Sequence, residues 1–245
     1  MLLHDKMVQE GHTLFRWRSY LPFLLLAYMA PTMIQYDYFL GSPTANLVWA
    51  LFCFAVATAG FLVRCAVVGY SHDGASGRNT KEQVARALNT DGIYSLTRNP
   101  LYFGNFLMIL GVILWVHDIW LLTIYLLAFY VYYERIIMTE ESFLTEKFGD
   151  EYREWASRTP AFWPRLARPR TPALPFSLKR VLRKEPSSFL GLVVAFVLLD
   201  ALSNLALYGS LHLAPLWAAL LVIGVALFVI LVAVKKSTKW LNTKR

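Results

Sequence analysis

Six long apolar runs leave this chain few folds to choose from. They cover about residues 20–40, 46–68, 100–116, 119–137, 188–208 and 213–234. As helices, runs of about 18 or more apolar residues match a hydrocarbon core about 30 Å thick. Backbone polar groups inside lipid must be satisfied within the protein, which restricts spanning structures to helices and closed barrels. The runs lack the alternating apolar and polar residues of barrel strands. The chain is 57% hydrophobic and 16% charged, with a mean hydropathy of +0.44, and the apolar excess is concentrated in these runs. The expected class is therefore all-α: a polytopic helical membrane protein with about six transmembrane helices. Pro22 and Pro31 interrupt the first run, which membrane helices tolerate when neighbours satisfy the freed carbonyls.

The distribution of charge tests that scheme independently. The net charge of +8 is compatible with nucleic acid, anionic lipid or membrane topology as its cause. Six spans place the N-terminal leader, the 69–97 loop, the 138–187 segment and the C-terminal tail on one side. All 24 Lys and Arg residues fall there or at the adjoining helix ends, and the opposite loops carry none. By the positive-inside rule this side is the cytoplasm, with both termini on it. Topology thus accounts for the charge, and no nucleic-acid partner is expected. A bacterial inner membrane is the expected setting, with the endoplasmic reticulum as the alternative. The long polar leader and the absence of a small-residue cleavage site argue against a secretory signal peptide. Cys53 and Cys65 lie on one predicted helix about 18 Å apart by helical rise, too far to bridge within it; both are read as packing residues.

Between the fourth and fifth runs, Leu144, Phe148, Tyr152 and Trp155 recur at helical spacing among charged residues, predicting an amphipathic helix at the interface. Phe162-Trp163-Pro164 resembles an aromatic interface anchor. Arg168-Pro169-Arg170-Thr171-Pro172 is too proline-rich for a helix, and residues 176–184 predict a second, basic surface helix attracted to anionic lipid headgroups.

Several polar groups stand out against this background. The glycine-rich stretch 69–78 is either a flexible connector or an anion cradle, and it lacks the Gly-Lys-Ser/Thr ending of a phosphate loop. Arg98-Asn99-Pro100 opens the third run. Proline suits a helix start because its missing N–H would be unpaired there. The segment is either a positive-inside anchor or an anion site made from helix N-terminal amides and an arginine. Tyr102 and Gly104 lie just inside, where a glycine would let a ligand approach the backbone. A tight turn at His117-Asp118 folds the fourth run back on the third, so Glu140 and Glu141 return to the same boundary. They are either a solvated helix start or a functional pair, since carboxylates near a bilayer are costly unless solvated or paired. Asp200, near Ser203 and Asn204, lies toward the opposite end and is read as a helix-packing group. The five histidines show no metal-ligand spacing and no nucleophile–base arrangement is evident, so no metal is expected.

The run Gly92-Ile93-Tyr94-Ser95-Leu96-Thr97-Arg98-Asn99-Pro100-Leu101-Tyr102-Phe103-Gly104 resembles the signature of the isoprenylcysteine carboxyl methyltransferase and phospholipid methyltransferase family. So does the later run of Glu140-Glu141, Leu144, Phe148-Gly149 and Glu151-Tyr152, followed by Arg158-Thr159-Pro160 and Trp163-Pro164. The resemblance covers roughly residues 65–165. It divides the chain into a leader with two spans (1–64), a methyltransferase core (65–165) and a basic linker with two further spans (166–245). It implies an integral membrane enzyme that uses S-adenosylmethionine without a Rossmann domain. Carried over, it makes Tyr94, Asn99, Pro100, Tyr102, Gly104, Glu140 and Glu141 cofactor-binding, and Arg98, Arg158 and Glu141 catalytic. Many members have His where this chain has Asn99. An asparagine donates and accepts hydrogen bonds but does not titrate near neutrality, so no histidine acid–base chemistry is expected at that position.

The resemblance implies methyl transfer to a membrane lipid or lipidated acceptor. A carboxylate or phosphate oxygen needs no general base, only positioning, which Arg98 and Arg158 would supply as clamps. An amine acceptor must first lose a proton, and no His or Lys base occurs among the matched positions, although Glu141 could take it. An anionic oxygen is therefore the favoured acceptor and an aminolipid nitrogen the alternative. A non-enzymatic scaffold or transporter would share the six spans but would not need the Arg/Tyr/Gly and Glu-Glu motifs at one boundary.

Overall fold

The computed structural model describes residues 3–17, 21–71 and 87–241. The glycine-rich stretch from His72 onward lies outside the described residues. The chain is a polytopic helical membrane protein. Its helices are α1 (Leu3–Trp17), α2 (Leu21–Ile34), α3 (Pro43–Tyr70), α4 (Pro100–Trp115), α5 (Ile119–Phe148), α6 (Asp150–Arg158), α7 (Leu178–Lys184), α8 (Pro186–Tyr208) and α9 (Pro215–Ser237). Helices α3, α5, α8 and α9 are long and apolar enough to cross a membrane, and α4 is a shorter apolar helix.

Local chemistry sets the helix ends. Pro43, Pro100, Pro186 and Pro215 each occupy a first-turn position, where no N–H is needed. The Asp118 carboxylate accepts from Leu121 N at 2.6 Å and caps α5, directly after His117 makes the predicted turn with φ +45°. The first span is shorter than expected. It ends at Ile34 because Tyr36 Oη and Phe39 N both donate to Asn46 Oδ1, which holds residues 36–42 as a turn.

The α4–α5 hairpin and α3 form the centre of the molecule, and α3 on α4 is the most extensive helix interface. Small residues allow that contact. A Cβ on Gly111 would lie 2.4 Å from the Cys53 carbonyl oxygen and 2.7 Å from Ala57 Cβ. Close backbone approach of this kind replaces a hydrophobic drive that lipid does not supply. The α8–α9 hairpin lies alongside, with Phe54, Trp115, Phe196 and Trp217 interlocking where it meets α3 and α4.

Two further expectations change. The amphipathic helix predicted across Leu144–Trp155 is two helices, because Gly149 has φ +56° and ends α5 before α6 begins. The basic helix expected at the surface is the shorter α7. Its Arg180 is buried and donates toward Val68 O and Ser71 Oγ at the carboxyl end of α3, where a cation complements the helix dipole. The polar leader is a helix, α1, that packs along the second half of α5.

Candidate active site at the basic boundary

Arg98 sits in a loop pinned on its far side by main-chain hydrogen bonds. Its N–H donates to Pro160 O at 2.9 Å, and Arg165 N donates to Leu96 O at 3.0 Å. The buried Thr97 hydroxyl donates to Phe162 O at 2.8 Å. Asn99 Nδ2 donates to Ala161 O at 2.8 Å, so its side chain fastens the loop after α6 instead of capping α4. This zipper leaves the Arg98 guanidinium facing the end of α5.

Both acids of α5 answer the opening of α4. Arg98 Nη1 lies 2.8 Å from Glu141 Oε1, and Tyr102 Oη donates to Glu140 Oε1 at 2.6 Å. The Tyr133 ring packs on Tyr102 with centroids 4.8 Å apart. The two sequence motifs, 42 positions apart at Arg98 and Glu140, therefore meet side chain to side chain. The Arg98–Glu141 contact is a meeting of charges out of line for a hydrogen bond. Arg98 Nε and Glu141 Oε1 are both buried without a hydrogen-bond partner among the described residues. Buried polar atoms are normally satisfied, so the cluster has unused hydrogen-bonding capacity.

Two tyrosines complete it. Tyr152 of α6 is buried, which pushes its hydroxyl up to about 12; Glu141 raises it further and Arg98 opposes both. Burial also raises Tyr94 above the ordinary phenol value, with Glu140 adding to the effect. Both remain neutral donors at physiological pH.

Other predicted residues have different surroundings. Pro100 is buried at the start of α4. A Cβ on Gly104 would lie 2.8 Å from both Arg64 Cγ and Gly60 O, so its smallness admits α3. Arg158 is 56% exposed and binds Glu154 one turn earlier in α6, with Nη2–Oε1 at 3.0 Å. Asp200 accepts from Ala214 N at 2.8 Å, which ties α8 to the start of α9.

A second ion pair at this boundary escaped the sequence reading. Arg64 of α3 meets Glu185, between α7 and α8, through Nε at 3.1 Å and Nη2 at 2.8 Å, and Nη1 donates to Asn105 Oδ1 at 2.6 Å. In the sequence Arg64 is one positive-inside charge among many. Its partner lies 121 positions away with no motif to connect them.

A sequence model of the phospholipid methyltransferase family matches residues 47–151, which include both Arg98 and Glu141 but not Arg158. The cobalt-zinc-cadmium resistance protein CzcN of Cupriavidus metallidurans is 45% identical over 80 residues, 33% of this chain and 37% of that protein. The nickel-cobalt-cadmium resistance protein NccN of Alcaligenes xylosoxydans xylosoxydans is 41% identical over 92 residues, 38% of this chain and 40% of that protein. Protein-S-isoprenylcysteine O-methyltransferase of Schizosaccharomyces pombe is 34% identical over 92 residues, 38% of this chain and 37% of that protein. The chain thus spans less than half the length of the curated relatives it matches. No solved structure matches it.

Proposed function

Because residues 47–151 carry the sequence pattern of the phospholipid methyltransferase family, we propose that the chain is a membrane methyltransferase that uses S-adenosylmethionine. The observation that carries this is the meeting of Arg98 with Glu141 and of Tyr102 with Glu140 at one end of the α4–α5 hairpin. The unpartnered Arg98 Nε suits the carboxylate of the cofactor's amino-acid end, and Glu141 Oε1 suits its ammonium or a ribose hydroxyl. Bound there, S-adenosylmethionine would supply an electrophilic methyl group. Tyr102 holds Glu140 in place, and the half-buried Tyr94 and the buried Tyr152 stay neutral, so they add donors without adding charge. Asn99 and Pro100 set the entry of α4 and thereby aim Arg98.

The acceptor is a lipid or lipidated molecule reached at the basic boundary, which the positive-inside rule assigns to the cytoplasm. That assignment places both termini in the cytoplasm, in a bacterial inner membrane or alternatively the endoplasmic reticulum. The exposed Arg165, Arg168, Arg170 and Lys179 suit anionic headgroups beside the site. The sequence favours an anionic oxygen as acceptor. A specific observation favours the second reading, an aminolipid nitrogen: Arg98 and Arg158 each already face a carboxylate of this chain. An anionic acceptor would have to compete with Glu141 or Glu154, whereas an ammonium headgroup would be drawn to the acids.

The test is binding of S-adenosylmethionine by the purified full chain in detergent. Saturable binding that weakens in Glu141→Gln is the expected result, and a folded protein that binds none overturns the proposal. Mass spectrometry of lipids from cells with and without the protein then separates an ester-linked methyl from an N-methyl increment.

A further inference from the structure

Helix α1 lies outside the family-matched residues, yet it grips α5 immediately before the acid pair. Three contacts run antiparallel along the two helices. Thr139 Oγ1 donates to Val8 O at 3.0 Å, Arg135 Nε pairs with Glu10 Oε2 at 3.0 Å, and Tyr132 Oη donates to Leu14 O at 2.7 Å. The seat is close: a Cβ on Gly11 would come within 2.3 Å of the Arg135 carbonyl oxygen, and nearer still to Thr139 Oγ1.

Residues 132, 135 and 139 share one stripe of α5 at helical spacing. The next stripe carries Tyr133 and Glu140, which face Tyr102 of α4. One helix therefore presents α1 and the candidate site with adjacent faces, and whatever fixes the first face fixes the second. We infer that α1 is a positioning clamp, resting on the methyltransferase reading, that sets the rotation of α5 and so aims Glu140 and Glu141. A rotation of about 20° would move a carboxylate about 6 Å from the helix axis by about 2 Å. A displacement of about 1 Å at a reacting site can cost about a hundredfold.

Two sets of variants in the full chain test the clamp. Gly11→Val wedges α1 away from α5. Hydrogen exchange over residues 132–142 is expected to rise, cofactor affinity to fall about tenfold or more, and KM to move more than kcat. Glu10→Arg and Arg135→Glu are each expected to weaken binding, and the double reversal to restore it to within about threefold of wild type. A purely structural contact would lower the thermal midpoint of the single variants and leave the affinity of the folded protein unchanged. Folded variants that keep wild-type affinity while residues 132–142 exchange faster overturn the clamp alone. A wild-type chain that binds no S-adenosylmethionine overturns the methyltransferase reading, and the clamp with it.

Discussion

Two arginine–glutamate pairs flank α4 at the same boundary, and they are built differently. Arg64–Glu185 is closed: the side chains are 15% and 3% exposed, Glu185 receives both Nε and Nη2, and Asn105 takes a further donor. Arg98–Glu141 is open: the side chains are 18% and 30% exposed, one nitrogen meets one oxygen, and a buried donor and acceptor are left over. A closed pair fixes the position of helices. An open pair keeps hydrogen-bonding capacity that the fold leaves unused, which is what the proposed ligand site would need. Composition cannot tell the two apart; the number of satisfied atoms can.

Breaking the closed pair should have the largest effect. Glu185→Ala leaves a largely buried guanidinium without its counter-charge and should destabilise the protein by about 3–5 kcal/mol, seen as a large fall in the thermal midpoint or loss of monodisperse protein in detergent. The double variant Arg64→Met with Glu185→Leu should recover most of that, because an apolar pair of similar volume carries no charge to desolvate. If Glu185→Ala behaves like wild type, the pair is not closed in the sense argued.

The open pair should respond the other way round. Glu141→Gln should change stability by less than about 1 kcal/mol, since a partly exposed pair contributes little. It should weaken cofactor binding by about 2 kcal/mol, the scale of a hydrogen bond to a charged group. Equal losses of stability and of binding would erase the contrast between the pairs. Tyr102→Phe removes one hydrogen bond to Glu140 and should cost about 1 kcal/mol of binding, read by titration of the same ligand.

Much of this arrangement was legible in the sequence because it rests on local or short-range rules. Apolar runs placed the helices, and Pro100 marked the start of α4. The His117-Asp118 turn brought the Arg98 and Glu140 ends together. What stayed illegible depends on long-range registry. Glu185 looks like an ordinary linker acid until α7 and α8 carry it beneath α3 to Arg64. The family resemblance makes Gly104 a cofactor-binding residue, but the space left by its missing side chain is filled from α3, and only the helix packing reveals that. The leader's role was hidden because a short polar helix has no purpose until its partner face on α5 is known.

The opposite end of the molecule supplies the smallest expected effect and a control for the comparison. Asp200 accepts from Ala214 N at 2.8 Å, and Ser203 Oγ accepts from Trp115 Nε1 at 2.9 Å. These polar groups knit α4, α8 and the start of α9, and the hydrogen bonds account for them. Asp200→Asn keeps an oxygen acceptor for Ala214 N and loses only the charge that favours a helix N-terminus, worth about 0.3–1 kcal/mol. Its midpoint should therefore fall slightly, and its affinity for S-adenosylmethionine should match wild type. A fall in affinity at Asp200 comparable with that of Glu141→Gln would mean that the two ends of the hairpin are coupled, and that counting satisfied atoms fails to separate site from scaffold.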